Sequence, residues 1–236
     1  MTAQEMKTLF LIEYDRVASI DAPGYNDQEI SELLSAAQEE LVHHVYNPLG
    51  NKYREGVEET EFSTADLQEL VTEATLVASI NQTGVLTNGK FFDLPTNHYL
   101  SLMEVVTVSS ETECYNGKQI KVKPITHDEY AINVDNPFKT PKVNEVVWRL
   151  AHSSGKFELI TASDFSVGTY TMRYLKKPQP IIVGTGITVD GVAGPTNCEL
   201  KDTTHRRIVA YAVRKASAIT DPQMYQVRGI EQQSGN

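Results

Sequence analysis

At 236 residues, with 40% hydrophobic and 22% charged side chains, the chain falls in the globular range and can bury a sizeable core without disulfide staples. Its formal charge of -10 argues against dedicated duplex binding. No run approaches the roughly 20 apolar residues of a membrane helix, and Met1 to Lys7 has neither a basic region nor a cleavage site, so a soluble, unsecreted protein is expected.

The first helix is predicted over Gln4 to Val17, with Met6, Leu9, Phe10, Glu13 and Val17 at helical intervals before the turn Asp21-Ala22-Pro23-Gly24. Asn26 with Glu29 three places on is a capping signal, and Ile30, Leu33, Leu34, Ala37, Leu41 and Val45 mark one face of a second helix ending near Pro48. An exposed acidic loop with Glu58, Glu59 and Glu61 follows. Ser63 and Asp66 repeat the capping signal, and Leu67, Leu70, Val71, Ala74 and Val77 predict a third helix reaching Ile80.

Beyond Asn81, β-rich runs alternate with turns: Phe91 to Leu94, Tyr99 to Ser109, Lys118 to Lys123, Val143 to Ala151, Lys156 to Thr161 and Thr169 to Leu175. Asn88-Gly89, Asn116-Gly117 and Ser154-Gly155 read as hairpin connections, which predicts an antiparallel sheet or small barrel, interrupted at 124–141 by a loop with one helical turn. The Pro- and Gly-rich stretch Lys176 to Pro195 reads as a projecting or bridging segment with an extended Pro180 to Val183. A last helix, Glu199 to about Ile219, turns Leu200, Ile208, Val209, Ala212, Val213 and Ala216 inward and Arg206, Arg207, Arg214 and Lys215 outward. The Gln-rich tail after Met224 is expected to be flexible. The fold class is therefore α+β: an N-terminal helical bundle (1–80), a β-rich region with its projecting segment (81–195), and a C-terminal helix and tail (196–236), together forming one structural domain.

Charge is uneven along the chain. Residues 1–75 hold sixteen Asp or Glu against four Lys or Arg, whereas 141–236 hold eight against twelve. Two such surfaces on one subunit suit head-to-tail contact between copies, and equally fit two ordinary solvated faces.

No residue pattern points to catalysis. Gly184, Gly186, Gly191 and Gly194 lack the Lys-Ser/Thr of a phosphate loop; Glu39, Glu40, His43 and His44 lack the zincin order and suit a helix C-terminus. His127, Asp128 and Glu129 form an unremarkable charged loop, and Trp148 sits in a strand run where a packing role is the default. Cys114 and Cys198 share no metal spacing and are expected reduced and structural. Neither metal, nucleotide nor other cofactor is expected, and the chain shows no internal repeat.

Three segments, Asn26 to Val42 (NDQEISELLSAAQEELV), Asp164 to Val183 (DFSVGTYTMRYLKKPQPIIV) and Thr196 to Ala216 (TNCELKDTTHRRIVAYAVRKA), span 58 of the 236 residues. Together they resemble the head-to-tail connector, adaptor or ring proteins of crAss-like tailed bacteriophages. The resemblance implies a non-enzymatic virion subunit of a twelve-fold ring at the head-tail junction, assembled in the host cytoplasm. It would stack on the portal and on other neck or tail rings, and double-stranded DNA would pass through its lumen without specific binding.

A subunit interface is expected at Arg173, Lys176, Lys177, Pro178, Pro180 and Ile181 and at the basic face Arg206, Arg207, Arg214 and Lys215, which would meet Glu58, Glu59 and Glu61 of an adjacent copy. On that reading, replacing Arg206 and Arg207 with Glu weakens the ring and leaves the fold intact. The competing readings are a virion-associated hydrolase with an unfamiliar site and an adaptor module unrelated to phage.

Overall fold

The computed structural model describes residues 1–15, 24–46, 65–152 and 155–220. The turn at Asp21 to Pro23, the cap at Ser63, the acidic run Glu58 to Glu61, Ser154 and the tail after Met224 lie outside the described residues. The chain divides into a helical unit, 1–70 with 178–236, and a β unit, 71–177.

In the helical unit, α1 (Ala3–Asp15) and α2 (Asp27–Tyr46) both pack on α4 (Asp202–Thr220). Asn26 and Glu29 form the reciprocal cap that opens α2: the Glu29 N–H donates to Asn26 Oδ1 at 2.9 Å, and the Asn26 N–H to Glu29 Oε2 at 2.8 Å. The predicted apolar faces meet in the core, with Met6, Phe10, Ile30, Leu34, Ala37, Ile208, Val209, Ala212 and Val213 fully buried. Tyr25 closes one end, edge-on to Phe10 and Tyr14, its hydroxyl donating to the Ala216 carbonyl at 3.0 Å.

The stretch after Lys177 departs from the expected projecting arm over 178–183. Pro178, Pro180 and Ile181 are buried. The Ile181 and Val183 N–H groups donate to the hydroxyls of Ser35 (3.0 Å) and Ser31 (3.1 Å) on α2, and Ile182 pairs with Thr196. The serines supply the ladder that an edge strand would otherwise lack, so the prolines rigidify a packed segment. Beyond it, β8 (Thr188–Val189) and β9 (Val192–Ala193) form a hairpin at Asp190-Gly191. Both turn residues have positive φ (49° and 79°), as a primed two-residue turn requires. Asp190-Gly191 is the local sequence signal for this hairpin within the Pro- and Gly-rich stretch.

The β unit is a seven-stranded sheet of β1 (Val71–Leu76), β2 (Gly89–Asp93), β3 (His98–Ser109), β4 (Gln119–Pro124), β5 (Val146–His152), β6 (Lys156–Ile160) and β7 (Ser166–Lys176), in the order β1-β7-β3-β4-β5-β6-β2. Just past β1, Ala78 bridges back to Phe92 of β2, so the sheet curls until its two edges meet. Val106, Val147, Leu159, Tyr170 and Met172 fill the core.

Two expectations are corrected. The third helix is absent: 65–67 is one helical turn, Gln68–Leu70 is 3-10, and Val71 to Leu76 pair antiparallel with β7 along their whole length. Val71, Thr72 and Thr75 are β-branched, and the cross-strand partners prevail over a helical spacing that the same apolar residues also satisfy. The sheet is also mixed, because β4 and β5 are parallel. Parallel neighbours need a crossover, and the predicted loop supplies it through α3 (His127–Asn133), opened by a Thr126/Glu129 capping box.

Candidate assembly surfaces

The residues expected at a subunit interface fall into three groups. Arg173 stands on β7 directly opposite Glu73 of β1, with its Nε donating to Glu73 Oε2 at 2.7 Å, and both side chains are about half exposed. Lys177 and Arg206 are exposed, and Lys176 is half-buried at the end of β7. Pro178, Pro180 and Ile181 lie inside the helical unit. Glu58, Glu59 and Glu61 are outside the described residues.

Most of the basic face of α4 is engaged within its own subunit. Arg207 pairs with Asp66 at 2.8 Å, and that carboxylate is only 5% exposed. Arg214 and Lys215 converge on Glu40 of α2 at 3.3 and 3.0 Å, and Lys215 also donates to the Ala36 carbonyl. Arg206 alone of the four is exposed without such a carboxylate among the described residues. The expectation that Arg206 and Arg207 are equivalent surface charges is corrected: Arg207 compensates a buried carboxylate.

The charge asymmetry follows the structural units. The helical unit carries twenty Asp or Glu against ten Lys or Arg, and the β unit eleven of each, so the whole excess of -10 belongs to the helical unit.

The groups whose acidity is most perturbed are structural. Burial pushes the Cys198 thiol up to about 11, and the thiol donates to Gln38 Oε1 at 3.1 Å. Burial, then Tyr14, pushes Tyr25 up to about 12. Tyr170 is raised by burial and by the Glu104 carboxylate it donates to, while His98 is lowered by burial and then by Arg149. The weak candidates for chemistry are occupied too. Glu40 is taken by Arg214 and Lys215, and Glu129 accepts from the Thr126 N–H at 3.1 Å. His127 lies within reach of the Ala151 carbonyl, and the glycines from Gly184 to Gly194 surround the β8–β9 hairpin.

One surface was missed. The segment at 124–141, expected as a loop with one helical turn, carries Ile132 and Phe138, which are 76% and 85% exposed, beside a cavity against β4 and β5. Thr126-x-x-Glu129 ahead of Tyr130 and Ile132 was a readable capping signal for a helix there.

The phage tail ring protein 3/4 family matches residues 1–226. Ring protein 4/5 of Bacteroides phage crAss001 is 31% identical over 229 residues, covering 92% of this chain and 93% of that protein. Ring protein 3 of the same phage is 32% identical over 196 residues, covering 81% and 84% respectively. A match that runs through both the helical and the β unit settles the relationship: the chain belongs to the phage tail ring protein 3/4 family and is a structural ring protein of a crAss-like bacteriophage virion.

Proposed function

We propose that the chain closes into a ring of twelve copies at the head-tail junction, joining portal to tail and enclosing part of the channel through which DNA passes. The observation that carries this reading is the match, across almost the full length of both partners in the first case, to two different ring proteins of one phage. Portal and neighbouring rings are its partners above and below, after assembly in the host cytoplasm. The acidic excess of the helical unit suits a conduit, since repulsion lets a duplex slide where a basic wall would hold it.

The role is non-enzymatic. The shifted groups Tyr25, Tyr170 and Cys198 are each raised toward their neutral forms and each hydrogen-bonded within the fold, whereas catalysis calls for pKa values matched to a task at an open site. Lateral contact between copies runs through Arg173, Lys176 and Lys177 of the β unit, Arg206 of the helical unit and the acidic run Glu58, Glu59 and Glu61, while Arg214 and Lys215 are committed to Glu40 of α2. Electron microscopy of purified protein and of the virion neck tests this. Closed rings coaxial with the DNA channel are expected, and a location away from that axis, or a copy number incompatible with a ring, overturns it.

A further inference from the structure

The surface built by α3 has the chemistry of a peptide-docking site. Tyr130 of α3 packs edge-on to Trp148 of β5, with ring centroids 6.3 Å apart. Beside them lies a cavity of about 330 Å³ lined by Lys123, Ile125, Glu129, Asn133, Lys139 and Trp148. Ile125 and Trp148 give it an apolar floor. Lys123 and Lys139 have no carboxylate partner among the described residues, and the single lining carboxylate, Glu129, is spent on the helix cap. Volume, apolar floor and a few charged groups match a site for a short segment of chain.

The rim is held in shape. Asn136 Oδ1 accepts from the Phe138 N–H at 3.0 Å, and the Asn136 carbonyl accepts from the Lys139 and Thr140 N–H groups at 3.0 and 3.1 Å. A closed turn therefore presents Phe138 and Lys139, so little ordering entropy is left to lose on docking. An exposed aromatic on a fixed turn is the usual anchor of an interface.

The occupant that fits is an acidic segment with apolar anchors, and the chain contains one. Residues 55–62 read Glu-Gly-Val-Glu-Glu-Thr-Glu-Phe, four carboxylates with Val57 and Phe62. The basic side chains on α4 that would otherwise attract it are mostly neutralised by Asp66 and Glu40. We propose that the α3 cavity receives residues 55–62 of a neighbouring copy, with Lys123 and Lys139 facing its carboxylates and Phe62 or Val57 against Ile125 and Trp148. This rests on the ring reading for the presence of a neighbour, and it makes the contact heterologous, as ring closure requires.

Trp148 is the only tryptophan, so its emission reports the cavity directly. A synthetic peptide of residues 53–64 titrated into the full-length protein is expected to give a saturable change in emission. Lys123→Ala with Lys139→Ala should weaken it several-fold, as loss of two exposed ion pairs implies. No change with the wild type or with a Glu58→Ala, Glu59→Ala, Glu61→Ala variant, which removes self-competition, overturns the proposal; so does binding undiminished by the lysine substitutions. Zero-length crosslinking of mixed labelled and unlabelled protein locates the donor. Crosslinks from Lys123 or Lys139 to Glu58, Glu59 or Glu61 should join differently labelled copies, and crosslinks confined to one copy overturn the intersubunit assignment. Rings seen by microscopy without this contact sink the docking site alone, whereas peptide binding by a protein that never closes rings supports the site and counts against the ring.

Discussion

Arg149 on β5 donates to Glu104 on β3 at 2.5 Å, reaching over the intervening β4. Strands two apart lie roughly 10 Å from each other, and the long side chains close that gap on the inner side of a curled sheet. The Tyr170 hydroxyl donates to the second Glu104 oxygen at 2.7 Å, and the Arg149 guanidinium lies over Phe157, 4.2 Å from its ring centroid. With side chains only 8% and 15% exposed, Glu104 and Arg149 depend on each other for compensation.

Glu104→Leu therefore strands a largely buried guanidinium and should destabilise the β unit by about 3 kcal/mol or more. Adding Arg149→Met should recover part of that loss, and Tyr170→Phe should cost about 2 kcal/mol by deleting a hydrogen bond to a charged group. Urea unfolding followed by Trp148 fluorescence measures all three. Equal losses in the Glu104→Leu single and double variants would show that the pair is not coupled.

His98 makes the β unit sensitive to mild acid. Its ring lies against Phe157 and Tyr174 and within 3.1 Å of Ser101 Oγ, and burial with Arg149 nearby lowers its pKa below the ordinary 6.5. The unfolded chain then binds the proton more readily than the folded one. Stability is unaffected well above 6.5 and declines as pH falls through 6.5 toward the lowered value. His98→Gln should flatten the pH dependence of the Trp148-detected midpoint between about pH 7 and 5; an unchanged slope rejects the assignment.

Ser31 and Ser35 hold the 178–183 segment. Replacing either by Ala leaves a buried N–H of Val183 or Ile181 without its acceptor and should cost about 1–3 kcal/mol. Hydrogen exchange at those two amides gives a local check. Rapid exchange already in the wild type would mean that the segment does not stay on α2.

Arg206 and Arg207, adjacent in sequence, should separate in experiment. Arg207→Glu sets a carboxylate against the nearly buried Asp66 and should cost about 2 kcal/mol, less than a fully buried pair because Arg207 itself is partly exposed. Arg206→Glu should leave unfolding unchanged within about 0.5 kcal/mol while reducing entry into virions. Wild-type incorporation of the Arg206→Glu protein would remove Arg206 from the interface.

The sequence by itself determined the elements whose signals are local. Periodicity and the Asn26/Glu29 box placed α2, apolar spacing placed α1 and α4, and alternating β-branched runs placed most strands, because each of these patterns is decided by residues within a few positions of one another. The three segments that resemble ring proteins likewise lie inside single stretches. Tertiary structure decided what depends on partners distant in the chain. Val71 to Leu76 became a strand because β7, about a hundred residues later, offers it an edge. Pro178 to Val183 became a packed strap because the acceptors for the Ile181 and Val183 N–H groups sit on α2, 146 and 152 residues away. The basic face of α4 ceased to be an open patch because Asp66 and Glu40, 141 and 174 residues away, neutralise it. Local propensity is worth tenths of a kcal/mol per residue, whereas a buried hydrogen bond or charge left without its partner costs several times more, so wherever the two disagreed the distant partner won.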